Sequence, residues 1–303
     1  MQKTSSLLSI CLFLLVGVAQ AQITDDRSLL APGATVELLG DGYKFTEGPT
    51  PDKNGNVYFT DQPNNTILRW DAASGEISTF AATSGRSNGL YFDKKGNLVA
   101  CADMDNQMWS FSMDGQHKVL IENYDNKLLN GPNDLWIDAK GGIYFTDPLY
   151  KRDYWTRDPA MQQDGQHVYY LSPDKKTLKR VDETLKQPNG IVGSPDGKNL
   201  FVADIGDRKT YRYDIQKDGS LSNRMLFTEM GSDGMTIDSQ GNLYLTGRRG
   251  VTIFDKSGTE VGNIPTGKGW TANVCFGGKD RKTLFITALD AVYGVKMNIA
   301  GAK

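Results

Sequence analysis

The sequence predicts an all-β fold, a six-bladed β-propeller in which an N-terminal strand closes the last blade, and three observations predict it. Glycine is abundant, at 33 of 303 residues, while no long stretch carries the spacing of an amphipathic helix, a combination that points to many short strands and tight turns. One phrase recurs six times: a polar residue, an apolar strand, a turn rich in Asp and Gly, and a second apolar strand. A spare strand stands ahead of the first copy, where a closed ring needs one.

The copies read EGPTPDKNGNVYFTD from Glu47, SNGLYFDKKGNLVACAD from Ser87, PNDLWIDAKGGIYFTD from Pro132, PNGIVGSPDGKNLFVAD from Pro188, SDGMTIDSQGNLYLTG from Ser232 and TANVCFGGKDRKTLFITA from Thr271. Each is followed by a further strand with an apolar or aromatic centre, such as ILRW at Ile67 or TYRY at Thr210. Repeats of about 40 to 55 residues made of short strands have the period of propeller blades, and each phrase is a hairpin within one blade. Asn54-Gly55 and its counterparts put Gly where a tight hairpin demands positive φ. Blades are sandwiched between neighbours, so runs such as NVYFTD and NLYLTG are apolar on both faces. The last copy is short of strands, and TVELLGDGY, from Thr35 to Tyr43, is expected to complete it and remove the open edges. Residues 22–303 are therefore expected to form one domain.

Aligned on their turns, the copies bring Glu47, Asn88, Asn133, Asn189, Asp233 and Asn273 into register at the start of each innermost strand. Innermost strands line the central channel, so these side chains are expected to converge. Any one copy is explained as well by a turn-forming Asn or Asp; six in register, two of them acids, are not. All six offer oxygen and none offers imidazole or thiolate, which suits a hard cation such as calcium, with two carboxylates to balance its charge. The expectation is one divalent cation, calcium, with magnesium, manganese or zinc as substitutes in vitro. The segment Asp52 to Asn56 has its Gly too early for an EF-hand and reads as a hairpin turn. A histidine-built zinc site has no footing, because His117 and His167 lie outside the ring set and read as surface or loop residues. No G-x-S-x-G elbow supports a serine nucleophile.

The remaining sequence narrows partner and compartment. A net charge of -2 without a basic block gives nucleic-acid binding no electrostatic basis. Residues 1–21 carry Lys3, an apolar run from Leu7 to Val18 and Ala19-Gln20-Ala21, the pattern of a cleaved signal peptide. The run is short of the roughly 20 residues of a spanning helix, so an exported protein is expected, periplasmic in a Gram-negative cell and otherwise secreted, with no transmembrane segment once cleaved. Cys101 and Cys275, the cysteines left after cleavage, lie in separate strand-like segments and read as buried free thiols. A monomer is expected.

The phrases EGP at Glu47, SNGL at Ser87, GPND at Gly131, FTDP at Phe145, PNG at Pro188, SDGM at Ser232 and CFGGKD at Cys275 together resemble the SMP-30/gluconolactonase/LRE family, the regucalcin-like proteins. The resemblance runs from about Glu47 to Val295 and implies a six-bladed propeller that hydrolyses sugar lactones such as gluconolactone. It implies metal ligation by Glu47, Asn133, Asn189 and Asp233, with Asp233 also the general base. Substrate contacts are expected from Asn88, from Asn273 and from Asp103. Two departures stand out: Ala102-Asp103 replaces the Glu-His of many relatives, and Leu128-Leu129 stand where many carry an Arg. The third copy carries an insertion, 148–166, whose Tyr150 and Trp155 are expected to cover the pocket mouth and stack on a sugar ring. Two other readings use the same scaffold: a calcium-dependent arylesterase or phosphotriesterase, and a propeller that binds a sugar or a partner without catalysis.

Overall fold

The computed structural model describes residues 22–302, and the expected signal peptide lies outside them. Six antiparallel sheets, five of four strands and one of five, stand in sequence order around a channel. Their innermost strands are Thr46–Pro51, Leu90–Phe92, Leu135–Ile137, Pro188–Gly193, Met235–Ile237 and Asn273–Gly277. Each is paired outward with the strand that follows it in the chain, so every sequence phrase is the inner hairpin of its blade.

The second strands, Val57–Asp61, Leu98–Ala102, Ile143–Asp147 and Leu243–Gly247, are buried along their whole length. That burial follows from their position, since both faces of a strand deep in a blade meet neighbouring blades. Aromatic edges join the layers: Tyr58 meets Phe92 of the next blade at 5.1 Å, Tyr244 meets Phe276 at 5.1 Å, and Phe59 meets Phe285 across the closure at 5.5 Å between ring centroids. A side chain as buried as Phe59 contributes about 1.5–3 kcal/mol through the water it sheds. At Gly55, φ is +89° and the space a Cβ needs is filled by the Gly278 backbone, so only glycine serves at this turn.

The ring closes as the sequence predicts. Glu37–Asp41 pairs antiparallel with Ala291–Lys296 and completes the sixth blade, with Leu38 opposite Tyr293. A second device was not foreseen: Thr24–Asp25 adds a fifth strand to the fifth blade, and Leu29 and Leu30 are buried where the fifth and sixth blades meet. The Asp25 carboxylate accepts the Leu29 and Leu30 N–H groups at 2.8 and 2.9 Å, which turns the chain from one blade to the next.

Asp52 to Asn56 is a hairpin turn, with the Gly55 N–H donating to the Asp52 carbonyl. Cys101 and Cys275 are free and buried. His167 is not the surface or loop residue the sequence suggested. It lies in His167–Leu171, 3 % exposed, with Nε2 3.0 Å from Asp164 Oδ1, because that strand is the third of its blade and buried throughout. Among the described residues no helix is long and apolar enough to cross a membrane.

Candidate functional site

Three aspartates fix the backbone from which the inner polar residues project. Asp61 accepts the N–H groups of Lys44 and Phe45 at 3.1 to 3.2 Å, Asp147 those of Asn130 and Gly131 at 2.9 Å, and Asp204 those of Lys186 and Gln187 at 2.9 Å. Each aspartate ends the second strand of its blade, and each pinned pair lies just ahead of Glu47, Asn133 or Asn189. The chain then enters the inner strand through an irregularity, between Glu47 and Thr50 in the first blade and between Pro188 and Ile191 in the fourth. Such bulges re-aim side chains. Gly48 serves the first of them, since φ is +48° and a Cβ would strike the Asn88 carbonyl.

Threonines tie one blade to the next at the same level. Thr60 Oγ1 donates to the Asn88 carbonyl at 3.2 Å and Thr146 Oγ1 to the Asn189 carbonyl at 2.8 Å. Asn88 and Asn189 are therefore held through their backbones, and their side-chain oxygens have no partner among the described residues.

Glu47 and Asp233, remote in sequence, line one pocket of about 390 Å³ together with Phe45, Tyr150, Arg152, Gln187, Ile205 and Trp270. Asp233 is held at both oxygens: Asn189 Nδ2 donates to Oδ1 at 2.8 Å and Trp270 Nε1 to Oδ2 at 2.5 Å. Asn189 Nδ2 also donates to the Tyr150 hydroxyl at 2.8 Å. Burial raises the Glu47 pKa well above the usual range and the Asp233 charge raises it further, while the Gly48 N–H and Arg152 pull the other way. Burial raises Asp233 as well, against the donors Trp270 and Asn189. Two carboxylates buried in one pocket are relieved either by a proton held on one of them or by a cation beside them.

The amides beside them are chemically open. Among the described residues Asn189 Oδ1 has no hydrogen-bond partner, nor has either polar atom of Asn88, which is 1 % exposed. Buried polar atoms are nearly always paired, so the unpaired oxygen of Asn189, whose amide nitrogen holds Asp233, fits a hard cation that takes oxygen ligands. Asn133 sits in the same register, 4 % exposed, its N–H on the Thr146 carbonyl at 2.9 Å.

The expected substrate contacts divide. Tyr150 lines the pocket. Asn273 does not join the others: its Oδ1 accepts the Val274 N–H at 2.8 Å, its amide packs on Gly234, and it lines a separate cavity of about 490 Å³ with Asp134. Asp103 is 4 % exposed and does not line the pocket. It faces the insertion instead, with Arg152 at 3.7 Å and Arg157 at 3.6 Å, and it accepts Gln62 Nε2 at 3.1 Å. Burial pushes its pKa up to about 6 in spite of both arginines. Trp155 is not among the lining residues either, and the Arg157 guanidinium lies 3.5 Å from its ring centroid.

Sequence reasoning missed Phe45, Gln187 and Trp270. The signal was present: each stands two or three residues ahead of a ring position, in the segment that forms the rim.

The structure and sequence of this chain are similar to those of known lactonases. It is 29 % identical to a gluconolactonase of Zymomonas mobilis, over 90 % of this chain and 84 % of that protein. It is 29 % identical to lactonase drp35 of Staphylococcus haemolyticus, over 72 % of this chain and 68 % of that one. A solved gluconolactonase from Xanthomonas campestris superposes with a TM-score of 0.85 at 28 % identity, over 92 % of this chain and 96 % of that chain. The model of the SMP-30/Gluconolactonase/LRE-like region matches residues 45–290, a span that takes in the inner strands of all six blades, and the chain belongs to that family.

Proposed function

We propose that this protein is a metal-dependent hydrolase of sugar lactones, opening the ring ester by attack of water. The observation that carries this reading is the meeting of Glu47 and Asp233 in one pocket, flanked by the unpaired oxygen of Asn189. The names of the relatives, gluconolactonase and lactonase, supply the substrate class.

Glu47, Asn133, Asn189 and Asp233 would hold the divalent cation, calcium in our reading, which when bound polarises the lactone carbonyl and lowers the cost of charge on its oxygen. Asp233 receives the proton of the attacking water on a carboxylate oxygen, its orientation fixed by Asn189 and Trp270. Tyr150, Phe45, Ile205 and Trp270 wall the pocket and shield the reacting ester from bulk solvent. An arylesterase or phosphotriesterase would need the same cation; no observation favours it over a lactonase.

Purified protein should hydrolyse gluconolactone, lose that activity on chelation and regain it with calcium. Asp233→Ala should lower kcat by about 100-fold or more, since general-base assistance alone is worth about 10²–10⁴. Full activity in the chelator, or unchanged turnover by Asp233→Ala, overturns the mechanism.

A further inference from the structure

We infer that the pocket takes a lactone that already bears an anionic group, and that Arg152 receives that group. The inference rests on the lactonase reading for the reaction, and on the insertion for the recognition. Arg152 is the one cationic side chain among the residues that line the pocket with Glu47 and Asp233.

Arg157, on the same insertion, is the more engaged of the two, although its Nε, like that of Arg152, has no hydrogen-bond partner among the described residues. It donates to the Asn130 carbonyl at 2.6 Å, stands 3.6 Å from Asp103 and stacks on Trp155, with Asp147 and Asp105 near it as well. Arg152 has far less. Its Nε is buried without a hydrogen-bond partner, its nearest carboxylate oxygen is Asp103 Oδ2 at 3.7 Å, and its guanidinium lies 5.0 Å from the Tyr150 ring centroid. Asp103 is thus shared between two cations, and Arg152, the one that lines the pocket, makes no hydrogen bond among the described residues.

Once a divalent cation balances Glu47 and Asp233, the charge of Arg152 has only its share of Asp103 to answer it. A partly buried cation in that position favours an anionic ligand, and the planar guanidinium fork suits a carboxylate. This carboxylate is distinct from the one that hydrolysis releases; it is already on the substrate. The propeller itself does not require Arg152, since the insertion 148–166 is peculiar to the third repeat.

The test compares a neutral lactone, gluconolactone, with an anionic one, the monolactone of glucaric acid, on calcium-loaded protein. The native protein should favour the anionic lactone in kcat/KM by about 10-fold or more, and Arg152→Gln should cut the anionic-to-neutral ratio by about 10- to 100-fold. Arg152→Lys should recover part of that ratio, because it restores charge without the fork. Calorimetry supplies a readout free of turnover: glucarate should bind the native protein more tightly than gluconate, and Arg152→Gln should erase the difference. Turnover of both lactones without discrimination, or equal losses on both in Arg152→Gln, overturns the inference and leaves the lactonase reading intact. Discrimination in binding without turnover of either lactone overturns the lactonase reading alone. Absence of both overturns both.

Discussion

At the scale of single residues, the site is a matter of which polar atoms are spent and which are left open. Asp233 has both oxygens engaged before any ligand arrives, and the Trp270 indole is the stronger of its two protein partners by distance. Groups that orient a metal ligand without touching the metal typically govern 10–100-fold in affinity or activity. Trp270→Phe keeps an aromatic wall and removes only the donor, so calcium affinity measured by calorimetry should fall by about 10-fold while the unfolding midpoint in chelator stays close to native. An unchanged calcium affinity would show that the indole fills space and nothing more. The sequence brought Glu47, Asn88, Asn133, Asn189 and Asp233 into register because a repeat makes equivalent positions visible by alignment. It did not reveal Trp270, which belongs to a rim segment that varies from blade to blade. It also did not show that Asn273 accepts the Val274 N–H or that Asp103 faces Arg152 and Arg157, because neither register nor motif says whether a side chain is already satisfied by a neighbour.

At the scale of the element, what matters is the aspartate that ends a second strand. Asp61, Asp147 and Asp204 hold the approach to three of the four expected metal ligands by accepting paired backbone N–H groups, and the motif is legible in hindsight as the FTD, FTD and VAD that close three of the repeats. The second, fifth and sixth repeats carry Ala102, Gly247 and Ala288 in that slot. Asp204→Asn exchanges one acceptor oxygen for an NH₂ group that faces a backbone N–H, at nearly constant volume. The change should destabilise the protein by about 1–3 kcal/mol, the cost of a buried donor left unpaired. A denaturant midpoint lowered at constant slope is the expected observation. A midpoint equal to the native one would mean that the inner strand holds its own approach and the aspartate merely accompanies it. The insertion 148–166 was visible as an interruption of the third repeat. Its seat was not, because the pairing of Arg152 and Arg157 with Asp103 joins two blades and has no periodic trace.

At the scale of the whole molecule, the sequence predicted the closure through Glu37–Asp41 from a simple count of strands, and it could not predict the second latch, because Thr24–Asp25 is too short to carry a pattern. The two latches make the N-terminal segment a strap over the fifth and sixth blades, with Leu29 and Leu30 buried beneath it and Arg27 paired with Asp255 at 2.6 Å at its edge. A ring has no natural place to begin unfolding so long as every blade is braced on both sides, and the strap supplies the outer strand of the sixth blade and ties that blade to the fifth. Removing residues 22–42 takes away the outer strand of the sixth blade, exposes the edge of Ala291–Lys296 and uncovers the apolar surface that Leu29 and Leu30 fill. Each leucine alone is worth about 2–5 kcal/mol by the usual cost of a buried large-to-small change, so the deletion should consume most of the 5–15 kcal/mol by which a typical domain is stable. The shortened protein should lose its single cooperative transition and self-associate through the open strand, as seen by calorimetry together with light scattering. If it instead unfolds in one transition near the native midpoint and stays monodisperse, the six blades hold one another without the strap.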